Sequence, residues 1–491
     1  MLGTLAKAVV DTLSADPDRP VISGEADLTA GELLARSAGF ATMLKAHGCG
    51  QDSRVALYLQ SNVDLLAGMI GSWMVGACVL MMDFRTPGAQ RSALAGRIGA
   101  SLSVEGRRMP KAPDDYPWAP FDETWRQPAP WADYANDVNP RNSFAVCALS
   151  SGTTGLPKIY LQSHDVIMGR MKHGVAPRRP ADGPFLAPMS LSISATRARV
   201  LNALISGGRI HFTPPMASAG ELIETLSATR AAGTALPPSI IATMVKEIGE
   251  RSEPYFPHLQ LLRSSGGPAR PQDKIAAYRC LSPGYRMAYS SNLTGTATML
   301  AGEDVLRLPE TVGRPINGVT IEIIDPATGV SLPRGVAGLI KVVTPYISDV
   351  TIEADTGRSE GREQRGADWG IAGDIGSLDE DGFLTIVGRD ADMIIRGGVN
   401  VSPQEIEAIL IQHPLIQDAA VAGIEDPVYG QEIVAAIVCS GGDEQAFRAF
   451  CIRSLAPDKR PRIIRIVESL PYNASGKLVR SAVAAMFSRE G

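Results

Sequence analysis

Leu149-Ser150-Ser151-Gly152-Thr153-Thr154-Gly155-Leu156-Pro157-Lys158 sets two glycines, four hydroxyl side chains and one cation in ten residues, directly after the apolar run 144–148. A loop of this make-up can wrap backbone N–H groups and hydroxyls around phosphate oxygens, with Lys158 adding a point charge. It does not meet the GxxxxGK[ST] spacing of a Walker loop. By composition alone it could equally be a plain Ser/Thr/Gly turn, so the surrounding chain has to decide.

Upstream, Thr29-Ala30-Gly31-Glu32 forms a capping box. It opens a helix whose apolar residues Leu33, Leu34, Phe40, Ala41 and Leu44 recur at helical spacing, with Gly48 just past its end. A strand is expected at 55–59, a helix at about 62–75 and a buried strand at 78–82. Strand, helix, strand in this order builds parallel sheets, so the first half reads as α/β. Residues 65–82 carry no charge, the length at which a membrane span becomes a candidate. Gly68, Gly71 and Gly76 interrupt them, and the helix-then-strand reading is preferred.

Downstream of about residue 300 the texture changes to short strands with Gly and Pro turns, as at 320–324 and 338–343, a small β region. From Ser402 it changes again: Ser402, Pro403 and Glu405 supply an N-cap, an N1 proline and an N3 glutamate, with strands expected near 419–422 and 432–439. A separate α+β unit is expected there, giving domains of 1–388 and 389–491. The stretch 349–366, rich in charge and glycine, is expected to be a mobile loop.

A chain of 491 residues is too long for one ordinary core, which favours two or more domains with room for a cleft. With 45% apolar and 20% charged residues it has ordinary globular composition. A net charge of −5 gives no global footprint for nucleic acid or an anionic membrane, so any phosphate must be held locally. Its six cysteines show no CxxC pair and no histidine at metal-ligand spacing, which argues against a disulfide framework or a zinc site. Together with an N-terminus lacking an uninterrupted apolar run, this points to a reduced, cytoplasmic compartment. His164 is expected to be structural, and no GxSxG elbow is present.

Several ordered motifs resemble the adenylate-forming superfamily of acyl-CoA synthetases, peptide-synthetase adenylation domains and beetle luciferases. Ser150, Ser151, Gly152, Thr153, Thr154, Gly155 and Lys158 are similar to its phosphate loop, and Ser265-Gly266-Gly267-Pro268 resembles the turn lining its adenine and acyl sites. Val312-Gly313-Arg314-Pro315 matches a structural segment, Ala372-Gly373-Asp374 resembles the TGD motif that binds ribose, and Gly388-Arg389 resembles the ribose-binding domain boundary. The run Gly397-Gly398-Val399-Asn400-Val401-Ser402-Pro403-Gln404-Glu405-Ile406-Glu407 is close to the form found in CoA-using relatives. Leu470 to Arg480 resembles the C-terminal LPxxxxGKxxR motif, with Lys477 as its catalytic lysine.

The resemblance implies a large N-terminal ATP- and acid-binding domain with parallel sheets, and a smaller mobile C-terminal domain that closes over the cleft. It implies activation of a small carboxylic acid with ATP and Mg2+ to acyl-AMP, then transfer to a thiol. Tyr289, Ser290 and Asn292 fall in the adenine motif, and Gly397 and Gly398 on the thiol side. Ser190, Ser194, Leu236 and Asn292 would line the acyl pocket and suit a modest substrate with a polar feature. The chemistry suits these residue types: a carboxylate attacking the α-phosphate is anion against anion, a barrier that fixed positive charge lowers.

The pattern is broken at Tyr289-Ser290-Ser291-Asn292-Leu293, where Leu293 stands in the place of a magnesium-binding glutamate, so no metal ligand can be named. Ala391 replaces the common Asp or Lys at the hinge, and the segment 188–194 carries neither a lid histidine nor an amine-binding aspartate, which disfavours an α-amino acid. Three readings follow: an acid:CoA ligase, a ligase charging the phosphopantetheine of a carrier protein, and a nucleotide- or acyl-binding protein that has lost catalysis. Neither nucleic acid nor a membrane span is expected as a partner.

Overall fold

A computed structural model describes residues 3–106, 116–135, 143–150, 157–174, 183–214, 217–353, 358–361, 368–397, 399–472 and 478–487. The architecture is mixed α/β, with two large sheets, a small antiparallel sheet and a fourth sheet near the C-terminus.

The first large sheet has a parallel centre. Arg54–Tyr58 lies between Cys78–Met81 and Leu102–Glu105, and Cys78–Met81 pairs with Phe144–Leu149. Phe144–Leu149 then turns back antiparallel into Ile159–Ser163, so the phosphate-loop sequence is the connection of a β-hairpin. The second large sheet runs Tyr285–Ser291, Leu261–Ser264, Gly233–Leu236, Phe185–Ala187 and Ile210–Phe212 in parallel, with Gly295–Ala301 antiparallel at one side.

Helices fill the space between these sheets. Thr29 caps Ala30–Ala46 as expected: its Oγ1 accepts from the Glu32 amide at 3.3 Å, and Glu32 returns a bond to the Thr29 amide at 2.8 Å. The uncharged stretch divides as its glycines suggested, into a helix Asn62–Met74 and the strand Cys78–Met81. That helix is buried on every side, against Ala30–Ala46 and the sheet. A Cβ at Gly71 would meet the Ser37 carbonyl at 2.6 Å, and one at Gly68 would meet Leu57 and Phe40. The glycines therefore let two helices approach closely, and among the described residues no helix is long and apolar enough to cross a membrane.

The small β region is a four-stranded antiparallel sheet of Thr320–Ile324, Gly338–Val343, Trp369–Leu378 and Leu384–Arg389. Beyond it, Ser402 caps the helix Pro403–Leu410, and the expected strands extend further than their apolar cores, to Ile416–Asp426 and Gly430–Cys439. Two apolar clusters here draw only on residues from 394 onward.

One expectation needs correction. The stretch 349–366 contains the strands Val350–Ile352 and Ser359–Gly361, the first paired antiparallel with Ile159–Ser163. Charge and glycine content concealed the β-branched run Val350-Thr351-Ile352, which extends the first sheet. Residues 354–357 and 362–366 lie outside the described ones.

Candidate active site

Asp374 is the centre of the candidate site. In the antiparallel pairing of Trp369–Leu378 with Leu384–Arg389 it stands directly opposite Arg389. Arg389 donates from Nε to Oδ1 of Asp374 at 3.0 Å, and the Tyr289 hydroxyl donates to Oδ2 at 2.7 Å. Asp374 is 6% exposed and Tyr289 8%, whereas the Arg389 side chain is 44% exposed, so the cluster opens to solvent on the arginine side. Burial and the neighbouring carboxylate hold the Tyr289 phenol well above its ordinary range, so it stays a donor. Tyr289 thus meets a pair on adjacent strands of the small sheet from much further along the chain.

Tyr289 and Ser290 lie on the strand Tyr285–Ser291, with a bulge between them. The next turn is fixed from behind. Asn292 donates from Nδ2 to the Leu149 carbonyl, and its own carbonyl accepts from Gln162 at 2.8 Å and Ser348 at 2.8 Å. Arg170 donates to the carbonyls of Asn292 at 3.2 Å, Leu293 at 2.6 Å and Tyr346 at 2.8 Å. With its amide used this way, Asn292 serves to tie the adenine-motif turn to the base of the phosphate loop. Sequence reasoning missed Arg170 and Gln162, whose partners are backbone carbonyls more than a hundred residues away.

The phosphate-loop sequence is closed at its base. The Ser150 amide donates to the Lys158 carbonyl at 2.8 Å, and the Lys158 amide to Ser150 Oγ at 2.9 Å. Lys158 Nζ meets Glu353 at 2.9 Å, with its side chain still 48% exposed. Ser151, Gly152, Thr153, Thr154 and Gly155 lie outside the described residues. Gly266, after the strand Leu261–Ser264, has φ +93°, a left-handed conformation that explains glycine in this turn, and neither it nor Gly267 is crowded. Pro268 follows at the mouth of the same turn.

Leu293 is 6% exposed and packs in an apolar cluster with Ala148, Tyr160 and Ile347. Its side chain also lies against Gly370, where an added Cβ would come within 2.8 Å. Among the described residues no group of three His, Cys, Asp or Glu could hold a metal ion. The described residues therefore do not fit a magnesium held by a protein carboxylate at this point.

Of the acyl-side residues, Ser190 Oγ accepts from the Ser192 amide at 3.2 Å, and Ser194 Oγ accepts from Arg197 at 2.9 Å at the start of the helix Ser194–Ile205. Leu236 is 3% exposed and belongs to an apolar cluster of the second large sheet. On the C-terminal side, Gly397 has φ +57° and its amide bonds the Tyr429 carbonyl at 2.8 Å. Gly398 and Lys477 lie outside the described residues.

Two family models match the chain: "AMP-binding enzyme" over residues 10–349 and "AMP-binding enzyme C-terminal domain" over 405–477. The chain is 29% identical to a 2-succinylbenzoate–CoA ligase of Geobacillus kaustophilus, over 94% of each chain. It is 28% identical to an uncharacterized acyl–CoA ligase, YhfT, of Bacillus subtilis, covering 88% of this chain and 87% of that protein. In fold it is similar to ATP-bound MatB from Rhodopseudomonas palustris, with TM-score 0.83, 21% identity and 99% of each chain covered. It is likewise similar to the o-succinylbenzoate CoA synthetase MenE of Bacillus subtilis in complex with its acyl-adenylate intermediate, with TM-score 0.83, 20% identity and 97% coverage of each. With the first family model alone spanning more than two thirds of its length, this chain belongs to the family of AMP-binding enzymes.

Proposed function

We propose that this chain is an AMP-forming acid:CoA ligase, which joins a small carboxylic acid to AMP with release of pyrophosphate and then passes the acyl group to the CoA thiol. The observation that carries the reading is the Tyr289–Asp374–Arg389 cluster. Asp374 is oriented by one phenol and one guanidinium, and a carboxylate keeps further lone pairs that can accept the ribose hydroxyls of a nucleotide. The curated relatives named as CoA ligases support the choice of thiol.

In the first step an oxygen of the acid bonds to the α-phosphorus and the bond to pyrophosphate breaks. Both reactants are anions, so Lys158, at the foot of the phosphate loop, and Lys477, brought in by the C-terminal unit, supply the fixed positive charge. In the second step the CoA sulfur attacks the acyl carbonyl and AMP leaves. The remaining proposed nucleotide contacts are the loop Ser150–Gly155 and the turn Gly266-Gly267-Pro268, with Gly397 and Gly398 on the thiol side. Magnesium, when bound, would supply charge neutralisation of the triphosphate.

We assign residues 1–388 to the nucleotide- and acid-binding domain and 389–491 to the catalytic-lysine domain. The assignment is supported by the end of the small sheet at Arg389 and by apolar clusters that use only residues from 394 onward. A reduced, cytoplasmic setting suits six free thiols, five of them buried.

Pyrophosphate release measured over a panel of carboxylic acids, with CoA or a phosphopantetheinylated carrier protein as acceptor, tests the reading. Acid-dependent pyrophosphate and AMP with CoA as the better acceptor are expected. Formation of ADP and phosphate would overturn the chemistry, preference for the carrier would overturn the choice of CoA, and nucleotide binding without turnover would overturn catalysis.

A further inference from the structure

Arg199 and Arg263 are 7% and 3% exposed, and neither is close to a compensating acid among the described residues. Arg263 donates from Nη2 to Thr296 Oγ1 at 2.9 Å, but among the described residues its Nη1 has no partner, nor has Nη1 of Arg199. The two guanidiniums are near enough to repel, and Arg286, which faces Arg263 in register on the next strand, adds to the repulsion. Burial pulls Arg199 down to about 10, still charged at neutral pH, and holds Arg263 well below its ordinary value.

This is an expensive arrangement. A buried charge left without a partner is strongly destabilising, and folds avoid it. Two nearby arginines show how this fold does so. Arg170 spends its donors on three carbonyls, and Arg197 gives to the Leu191 carbonyl at 2.9 Å and to Ser194 Oγ. Among the described residues Arg199 and Arg263 have no acceptor for Nη1, and both lie next to the acyl-side segments. Arg199 is on the helix Ser194–Ile205 that the Ser190–Ser194 segment opens, and Arg263 is on the strand Leu261–Ser264 that leads into the Gly266 turn. Thr296, the partner of Arg263, sits opposite Ser290, beside Tyr289. At about 3.3 Å per strand residue, Arg263 lies about 10 Å from the turn.

We propose that Arg199 and Arg263 form an anion subsite at the inner end of the acyl pocket, and that the substrate is a dicarboxylic acid whose second carboxylate they bind. The inference rests on the ligase reading above. One carboxylate reacts at the nucleotide, and the other accepts the two unpartnered Nη1 donors, for which a guanidinium pair is geometrically suited. A monocarboxylic acid of the same length leaves both charges unpaired in the complex.

The test compares the dicarboxylic acids malonate through pimelate, and phthalate, with their monomethyl esters, on the wild type and on Arg263→Met and Arg199→Met. Initial rates of pyrophosphate release are read together with thermal denaturation in the presence of each acid alone. At least one diacid is expected to exceed its monoester by about 10–100-fold in kcat/KM, the worth of charge-assisted hydrogen bonds. The ratio should fall towards unity in either variant, mainly through KM. The same diacid should raise the melting temperature of the wild type and not of the variants. Without ligand the variants should melt higher than the wild type, since each loses an unpaired buried charge, whereas a merely structural arginine would leave a less stable protein. Monoesters used as well as every diacid, or discrimination that survives both substitutions, would overturn the subsite and leave the ligase reading intact. If no acid releases pyrophosphate the ligase reading fails, and diacid-specific thermal stabilisation then decides the subsite by itself.

Discussion

Arg480 grips Glu407 with both terminal nitrogens, Nη1 on Oε1 at 2.5 Å and Nη2 on Oε2 at 3.0 Å. The pair closes over the strand Ile416–Asp426: Arg480 Nη1 also donates to the Val421 carbonyl at 2.6 Å, and the Val421 amide donates to Glu407 Oε1 at 2.7 Å. It ties the helix Pro403–Leu410 to the helix Arg480–Phe487. On the other side of residues 473–477, the Tyr472 hydroxyl bonds Asp418 at 2.7 Å, and Tyr472 bridges to Leu478. Tyr472 and Arg480, on either side of 473–477, are therefore both held against the strand Ile416–Asp426. Both members of the Glu407–Arg480 pair are largely buried, so Arg480→Ala should cost about 3–5 kcal/mol by stranding the carboxylate. Glu407→Leu with Arg480→Met should recover much of that in urea denaturation; a double variant no better than Arg480→Ala would show that the pair is not the source.

Nucleotide affinity should depend on Asp374 far more than on Tyr289. Asp374→Ala removes the acceptor and leaves Arg389 without its partner, and AMP should bind about 10–100-fold more weakly. Tyr289→Phe removes one donor worth about 1 kcal/mol and should weaken binding several-fold at most. Calorimetric titration of AMP into both variants distinguishes them; equal losses would mean that the phenol, not the carboxylate, organises the site.

Lys477→Ala should slow acyl-AMP formation by about 10²–10³-fold, the loss seen when one preorganised charge-stabilising donor is removed. Transfer from supplied acyl-AMP to CoA should be spared, because the second step calls for a different orientation of the C-terminal domain. Single-turnover assays of each half-reaction read the two effects separately, and equal damage to both would make Lys477 a structural residue.

Leu293→Glu places a carboxylate among Ala148, Tyr160 and Ile347. The buried charge has no partner there, so the variant should lose stability, by several kcal/mol if the carboxylate ionises, and the magnesium concentration for half-maximal adenylation should not fall. A lower magnesium midpoint with unchanged stability would show that the side chain turns to a metal.

Burial pulls the His164 imidazole down to about 4; the ring is 4% exposed, lies edge-on to Trp73 at 5.4 Å, and its Nδ1 has no partner among the described residues. The folded protein therefore holds the ring neutral, while the unfolded chain takes up a proton near pH 6.5. The contribution is complete above about pH 6.5 and is lost as pH falls towards 4, about 3 kcal/mol in all. Denaturation of wild type and His164→Leu across this window should give the variant a shallower acid slope by about one proton. Parallel slopes would mean that the histidine is protonated in the folded protein too.

What the sequence by itself determined is local or periodic. The helix caps at Thr29 and Ser402, the split of the uncharged stretch at its glycines, the parallel strands of the first half and the ordered motifs depend on residues near one another, so spacing was enough to read them. Asp374 and Arg389 could be named because each sits in such a motif. The tertiary structure alone decided what those residues meet. Leu293 in sequence is an apolar residue where a carboxylate was expected, and only its packing against Ala148, Tyr160 and Ile347 shows that no ligand could turn inward there. Arg170, Arg199 and Arg263 look alike as letters; the fold gives the first three carbonyls and, among the described residues, leaves the other two without acceptors for Nη1. The physical reason is that desolvation depends on how elements from distant parts of the chain close around a side chain, and short-range sequence does not record it.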